Sequence, residues 1–306
     1  MESKVNANIK TVNVDDKIIS PARMAWNRLK KNKLALVGLF IIIFMILFAV
    51  VGPIISPYTT ETMDYNNPTV GPGFKHLLGT DELGRDVLTR LMYAGRISLA
   101  VGAAAVVVEI VVGSALGAIS GFYGGIIDNI IMRIADIFMC VPFFPILITL
   151  AALFSDLKIQ SQYKVPFLMF IIGILSWPGL SRIVRGQILT LREQEFMLAT
   201  NCLGLKDRKK IFKHLLPNTI PSIIVSATLN IGSAILTESS LSFLGLGVVP
   251  PTPSWGNMVQ SVSDLYKLQH YPWLWMPAGI CILFTVIAIN LFGDGLRDAL
   301  DPKLKR

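Results

Sequence analysis

Long apolar runs with almost no charged residues limit the fold of this chain more than any other feature of its sequence. A helix of about 20 apolar residues matches the ~30 Å hydrocarbon core of a bilayer. Six such runs are predicted as membrane-spanning helices, at 34–56, 97–120, 129–154, 165–181, 219–237 and 271–293. Charged residues make up only 16% of the chain, whereas a soluble domain carries about 25%. We therefore predict an all-α integral membrane protein with six transmembrane helices.

The distribution of lysine and arginine predicts how the chain is oriented. Segments 1–33, 181–217 and 294–306, together with Arg133, hold 21 of the 28 lysines and arginines. Basic residues accumulate on the cytoplasmic side of membrane proteins. Both termini and the 181–217 loop are therefore predicted to be cytoplasmic, and the positive charge by itself is no sign of nucleic-acid binding.

The same pattern divides the chain into three parts. The first, 1–33, is a cytoplasmic segment whose residues 21–33 are predicted as an amphipathic helix on the membrane surface, with Trp26 and a basic run beside anionic lipid. The second, 34–293, is the membrane domain. The third, 294–306, is a cytoplasmic tail.

Two segments are predicted on the outer side of the membrane. In 57–96, a set of apolar residues falls on one helical face, with charged residues elsewhere, which predicts an amphipathic helix lying against the outer face of the bundle. The apolar set is Leu83, Val87, Leu88, Leu91 and Met92. The other outer segment is the loop 238–270.

Among the residues of the predicted spans, Glu109 has the highest free-energy cost of insertion into the membrane. A carboxylate at mid-span costs roughly 2.5–3.5 kcal/mol on insertion scales, so it must be protonated, paired or facing water. Glu109 is therefore a candidate for a pathway or gating residue, and a protonated interhelical hydrogen bond explains it equally well. Glu238, near the outer end of the fifth span, is less costly.

Small residues and prolines predict how two of the spans pack. Gly113, Gly117 and Gly121 recur every four residues in the second span, which is typical of a close helix–helix seam. Pro142 and Pro145 are expected to kink or break the third span.

The basic loop between the fourth and fifth spans is predicted to form two short helices. Gly204 suits the left-handed residue that ends the first helix, Asp207 is placed to cap the second, and Pro217 is expected to limit it. Two helices joined by a turn resemble a DNA-binding motif. A loop of about 36 residues tied at both ends to membrane spans cannot project a recognition helix, so we predict a rigid knob that fits a soluble protein partner.

No motif for chemistry occurs in the chain. The sequence contains neither a G-x-x-x-x-G-K-[ST] phosphate loop nor H-E-x-x-H, and its three histidines are scattered. No catalytic residue, cofactor site or metal site is predicted. A transporter without its own energy source must use a gradient or a partner.

Several stretches resemble the inner-membrane permease subunits of ATP-binding-cassette importers, and among these the "C" permeases of the oligopeptide, dipeptide and nickel group. The most specific are "AWNRLKKNKLALVGLF", "HLLGTDELGRDVLTRLMYAGRISLAVG", "RIVRGQILTLREQEFMLAT", "LSFLGLGVVPPTPSWG" and "GDGLRDALDPKLKR". Such permeases carry a cytoplasmic loop of pattern E-A-A, three residues, G, nine residues, I-x-L-P. Matches to that pattern here are Ala199, Gly204, Leu216 and Pro217, whereas Leu198, Thr200 and His214 depart from it.

The resemblance implies the type I importer permease fold, in a prokaryotic plasma (inner) membrane. It implies a homologous second permease subunit, two ATPase subunits that bind ATP and Mg, and an extracytoplasmic substrate-binding protein. The loop would couple pore and ATPase through Glu195, Ala199, Gly204, Leu205, Lys206, Leu216 and Pro217. Glu195 lies three residues upstream of the position at which the family pattern has its glutamate.

The implied substrate is a short peptide, and nickel or a metal chelate is the alternative within the group. A stand-alone proton-coupled transporter with Glu109 as its titrating group is the competing class. That class predicts an inverted internal repeat, which the sequence does not display, and it leaves the 191–217 loop without a role. A membrane-tethered nucleic-acid-binding regulator is disfavoured by the short tether.

Overall fold

The computed structural model describes residues 21–157 and 161–300. Residues 1–20 and 301–306, which belong to the predicted cytoplasmic segment and tail, lie outside the described residues. The first half of the chain forms α1 (Pro21–Leu29), α2 (Lys33–Val50), α3 (Gly52–Ile55), α4 (Val87–Tyr123), α5 (Gly125–Cys140), α6 (Phe143–Asp156) and α7 (Ser161–Leu191). The second half forms α8 (Glu195–Cys202), α9 (Asp207–Lys209), a π-helical segment Lys210–Leu215, α10 (Leu216–Phe243), α11 (Trp255–Val259), a 3-10 turn Gln260–Ser263, α12 (Leu265–His270) and α13 (Pro272–Leu300).

Six segments of the described chain have the length and hydropathy of membrane spans. Five are continuous or nearly so: Lys33–Ile55, α4, Tyr163–Leu191, Asp207–Phe243 and α13. The sixth is the pair α5 and α6, whose axes bend by 80° at the break between them. The predicted all-helical membrane fold is thus confirmed, with five candidate spans and one bent pair, and the expected break in the third span occurs at Val141 and Pro142.

The two ends of the helix bundle differ in construction. The cap end consists of residues 57–86 and 244–271, and Trp255 from this end is fully buried against Leu91 and Ala94 of α4. The base end carries α1, α8 and α9, and Leu29 packs there on Ala299 of α13. Because each span runs from one end to the other, both described termini lie at the base end.

The most extensive helix pair in the described bundle is α4 with α7. A Cβ atom built on Gly113 would lie 3.0 Å from the carbonyl oxygen of Trp177, and one on Gly121 would lie 2.9 Å from that of Arg185. At Gly117 the added atom would overlap the carbonyl oxygen of Ser181. The predicted glycine seam is therefore confirmed, with α7 as its partner.

The second span begins ten residues earlier than the hydropathy pattern predicts. Asp86 caps α4, since its carboxylate accepts hydrogen bonds from Thr89 N at 2.7 Å and Thr89 Oγ1 at 2.8 Å. The predicted amphipathic helix on the outer face is wrong as a separate element, because its apolar face continues in phase into the span as one 37-residue helix. The chain from 57 to 86 is irregular, with isolated bridges Met63–Arg85 and Thr80–Asp86.

Ion pairs and hydrogen bonds hold the cap end to the start of α4. The Nδ1 atom of His76 lies 3.0 Å from Oδ2 of Asp86, and the ring of Tyr58 stacks on His76. Lys75 Nζ lies 2.5 Å from Asp64 Oδ2, and this hydrogen bond holds the pKa of Asp64 far below its ordinary value. Residues 57–86 of the cap end are thereby ordered without regular secondary structure.

Several spans extend further at the base end than the sequence predicts, α7 and α13 among them. Helix α7 continues from the predicted limit at 181 to Leu191, so the first eleven residues of the 181–217 loop are helical. Helix α13 continues past 293 to Leu300 and takes up part of the predicted tail. Hydropathy marks where a helix leaves the hydrocarbon, whereas the hydrogen-bonded helix ends only where a capping residue or breaker occurs.

Candidate functional site: a central cavity and a base segment

A cavity of about 610 Å³ lies between α4, α7, α10 and the break that separates α5 from α6. We call it the central cavity. Its polar wall is formed by Glu109, Ser176, Ser226, Asn230, Ser233 and Thr237, and its apolar wall includes Phe138, Val141, Pro142, Phe143, Ile172 and Leu180. The proline break is therefore part of the cavity wall, because it turns α6 aside and leaves space beside α10.

Glu109 lies on the wall of the central cavity and is bound to one neighbour. Its side chain is only 2% exposed. Asn230 of α10 donates from Nδ2 to Glu109 Oε1 at 2.6 Å. The sequence identified the carboxylate from its insertion cost, but Asn230 could be recognised as its partner only when the fold placed it opposite Glu109.

Glu238 is enclosed by hydroxyl groups instead of facing the cavity. Its side chain is fully buried. It accepts hydrogen bonds from Ser98 Oγ at 2.9 Å, Ser242 Oγ at 2.7 Å and Ser239 Oγ at 3.4 Å. Ser98 also accepts from the backbone N–H of Trp255 at 3.2 Å. This cluster joins α4, α10 and α11 near the cap end, so Glu238 contributes to structure.

The base segment, which we define as residues 192–215, is built around a left-handed glycine. Gly204 has φ +63°. Its N–H donates to the Asn201 carbonyl at 3.0 Å, and the N–H of Leu205 donates to that of Thr200 at 3.2 Å, which is the bond pair of a Schellman ending. The predicted helix termination at Gly204 is confirmed.

The second half of the base segment differs from the sequence prediction. Asp207 is the first residue of α9 and not its cap, and no side chain caps that helix. Pro217 does not limit the second helix: it is the second residue of α10, directly after the π-helical segment, where the backbone hydrogen-bond pattern changes. The π-helical segment Lys210–Leu215 joins α9 to α10, so Asp207–Phe243 is one continuous helical span.

One face of the base segment packs on the bundle. Met197, Ile211 and Leu215 are buried in a cluster with Ala118 of α4 and with Leu180, Val184 and Ile188 of α7. The base segment is therefore in direct contact with the α4–α7 pair, which also forms one wall of the central cavity.

The other face leaves apolar side chains exposed. The exposed fractions are 62% for Leu198, 75% for Leu203 and 47% for Phe212. Among the residues predicted to couple, Glu195, Ala199, Gly204, Lys206 and Pro217 are exposed, while Leu205 and Leu216 are half-buried. Leucines at such exposure beside lysines form a surface that a protein partner could cover.

Charged side chains brace the base end beneath the cavity. Asp128 of α5 binds Arg185 of α7 through two hydrogen bonds, at 2.6 Å to Nε and 2.5 Å to Nη2, and Ser120 of α4 also donates to Asp128. Arg192 Nη1 donates to the Gly121 carbonyl at 3.1 Å. The base of α7 is thus bound to α4 and α5 next to the base segment.

The sequence is similar to known transport proteins along nearly its whole length. Residues 113–306 match the family described as binding-protein-dependent transport system inner membrane component, and 20–72 match the N-terminal TM domain of oligopeptide transport permease C. The chain is 44% identical to the oligopeptide transport system permease protein OppC of Bacillus subtilis, over 96% of this chain and 93% of the relative. It is 42% identical to the dipeptide permease protein DppC of the same organism, over 94% and 88%. Identity to OppC of Haemophilus influenzae is 40%, over 91% and 88%.

Proposed function

We propose that this chain, which belongs to the family of inner membrane components of binding-protein-dependent transport systems, is the permease subunit of an ATP-driven importer of short peptides. The relatives described above support the substrate class, since they are named as oligopeptide and dipeptide permeases. The lack of a phosphate-loop motif in the sequence supports a conduit that takes its energy from partner subunits.

The base end is proposed to face the cytoplasm and the cap end the outside. This orientation puts most of the lysines and arginines on the cytoplasmic side, including those of the base segment. A homologous second permease would close the open side of the central cavity. An extracytoplasmic binding protein would deliver peptide to the cap end.

The observation that carries the proposal is the exposed apolar face of the base segment. Leu198 and Leu203, both just before the Gly204 turn, are exposed, while Ile211 and Leu215 pack the same segment against α4 and α7. A cytoplasmic ATPase that covers this face could move the helices that line the cavity. ATP and Mg would be bound by the two ATPase subunits, and the predicted coupling residues Glu195 to Lys206 would form the contact.

The test is purification of the tagged chain in mild detergent with the proteins that accompany it, followed by reconstitution in liposomes. Peptide uptake is measured with ATP, with a proton gradient and with neither, in the presence of the binding protein. Uptake that requires ATP and the co-purified ATPases is the expected result. Gradient-driven uptake by the chain alone would overturn the proposal, and uptake of nickel in place of peptide would change its substrate.

A further inference from the structure

The central cavity contains one carboxylate, and no lysine, arginine or histidine occurs among the described residues that line it. Glu109 receives a neutral amide hydrogen bond from Asn230, which leaves an ionised carboxylate without a counter-ion. A charge in a poorly hydrated wall is costly unless an opposite charge approaches it. A cationic group that enters the cavity would therefore be stabilised beside Glu109.

A line of polar side chains on α10 leads past this carboxylate. Ser222, Ser226, Asn230, Ser233 and Thr237 follow one another at intervals of four or three residues. At 100° per residue they fall within an arc of about 80°, and over 15 steps of 1.5 Å they extend for roughly 22 Å. Such a line on a membrane helix is typical of a surface that faces water or a solute.

The polar line continues into a second cavity toward the base end. This cavity, about 460 Å³, shares Ile183 and Ser226 with the central cavity and is also lined by Ser222 and Arg297. The two cavities together border α10 from Thr237 to Pro221. Glu109 lines the central cavity, and the cation Arg297 lines the cavity nearer the base end.

We propose that Glu109 is the point in the transport pathway at which the ammonium group of a passing peptide binds. The inference rests on the proposed function, since it requires the central cavity to be part of a peptide pathway. Every unblocked peptide carries an ammonium group at its amino terminus, and lysine peptides carry a second. The carboxylate then favours cationic peptides over anionic peptides of the same length.

The bond between Glu109 and Asn230 also joins α4 to α10, and a purely structural role predicts a different outcome. Loss of the interhelical bond would slow all peptides by the same factor. Loss of the negative charge would slow cationic peptides more than anionic ones. Glu109→Gln removes the charge but keeps the length and a hydrogen-bonding amide. Asn230→Ala removes the interhelical bond but keeps the carboxylate, and Glu109→Asp keeps the charge on a shorter side chain.

The experiment measures ATP-driven uptake by the complete reconstituted importer at saturating binding protein. The peptides are Ala-Lys-Ala, Ala-Ala-Ala, Ala-Glu-Ala and N-acetylated Ala-Ala-Ala, and each rate is divided by the wild-type rate for the same peptide. In Glu109→Gln, the ratio for the lysine peptide should fall about fivefold below that for the glutamate peptide, as the loss of a partly screened charge contact implies. Asn230→Ala and Glu109→Asp should keep the wild-type preference.

The acetylated peptide identifies which ammonium group binds. A lower Glu109→Gln ratio for trialanine than for its acetylated form assigns binding to the amino terminus as well. Equal ratios for these two peptides assign it to the lysine side chain. Equal Glu109→Gln ratios for the lysine and glutamate peptides would overturn the inference while leaving peptide import intact. A wild-type complex that imports no peptide would instead overturn the proposed function.

Discussion

Asp128 lies where three helices meet, and its side chain binds groups from two of them. It belongs to α5, receives a hydrogen bond from Ser120 at the end of α4, and binds the guanidinium of Arg185 in α7 through both oxygens. Its side chain is 12% exposed and that of Arg185 is 33% exposed. Asp136 also binds an arginine of α7, Arg182, but both partners are more than 40% exposed.

Asp128→Asn should destabilise the base end more than Asp136→Asn. The first change leaves a half-buried arginine without its anion, at a cost of about 2 kcal/mol, the range for a charged hydrogen bond. The second breaks exposed pairs with Arg182 and Arg133, and such pairs contribute at most about 1 kcal/mol each. Apparent melting temperatures of the two variants in the same detergent check this difference. Equal shifts would mean that Asp128 does not brace the helices.

Substitutions at Gly204 should be tolerated according to their backbone preference and not their size. No atom lies within 4 Å of a Cβ built there, but φ is +63°. Gly204→Asn should retain ATP-driven uptake, because asparagine adopts left-handed conformations. Gly204→Val should reduce it about tenfold, as a strain of 1–2 kcal/mol implies. Limited proteolysis of the base segment provides an independent readout, and equal activity of both variants would contradict the role of the turn.

At the scale of elements, the α4–α7 seam depends on backbone contact. Gly117→Ala should force the two helices apart, since the added methyl would overlap the Ser181 carbonyl. Overpacking of this kind costs about 1–3 kcal/mol. The matched control is Gly186→Ala in α7, where the new atom meets nothing within 4 Å and the helix gains about 0.5–1 kcal/mol. Thermal stability in detergent should fall for the first variant and hold or rise for the second.

The sequence predicts where helices cross the membrane better than where they begin and end. Apolar runs predicted the spans, and Pro142 predicted the break in the third. The start of α4 at Val87 was missed because Asp86 has the capping role and the amphipathic pattern of 83–92 stays in phase with the span. Pro217 was expected to stop a helix, but it lies where a π-helical segment passes into α10, so the helical run continues through it.

At the scale of the whole molecule, the exposed leucines of the base segment should determine assembly. Leu203→Asp changes a side chain that is 75% exposed, so the fold should lose less than about 0.5 kcal/mol. Co-purification of the ATPase subunits should nevertheless fall by more than about tenfold, since a buried apolar anchor contributes about 2 kcal/mol or more. Leu265→Asp, at 68% exposure on the cap end, is the control and should keep the ATPases. Similar retention by both variants would argue against docking at the base segment.

The candidate site was only partly predictable, because the sequence shows which residue is costly to insert into the membrane but not which distant residue contacts it. The insertion cost of Glu109 marked it within one span, and Gly204 followed from local backbone chemistry. Asn230 and Ser98 gave no comparable signal, since each becomes informative only when a residue more than 100 positions away lies beside it. Glu238 was ranked below Glu109 from its position near a span end, yet three serine hydroxyls enclose it completely.

The unbroken length of α4 has a mechanical consequence. The helix has 37 residues, about 55 Å at 1.5 Å per residue, and no proline, whereas α7 has two prolines inside and α10 and α13 have one each. Proline is the usual place where a helix bends. A force applied at the Asp86 end of α4 would therefore be transmitted to Ser120 through one helix without a proline kink. The cap end and the base end are thus linked by one continuous helix that has no proline hinge between them.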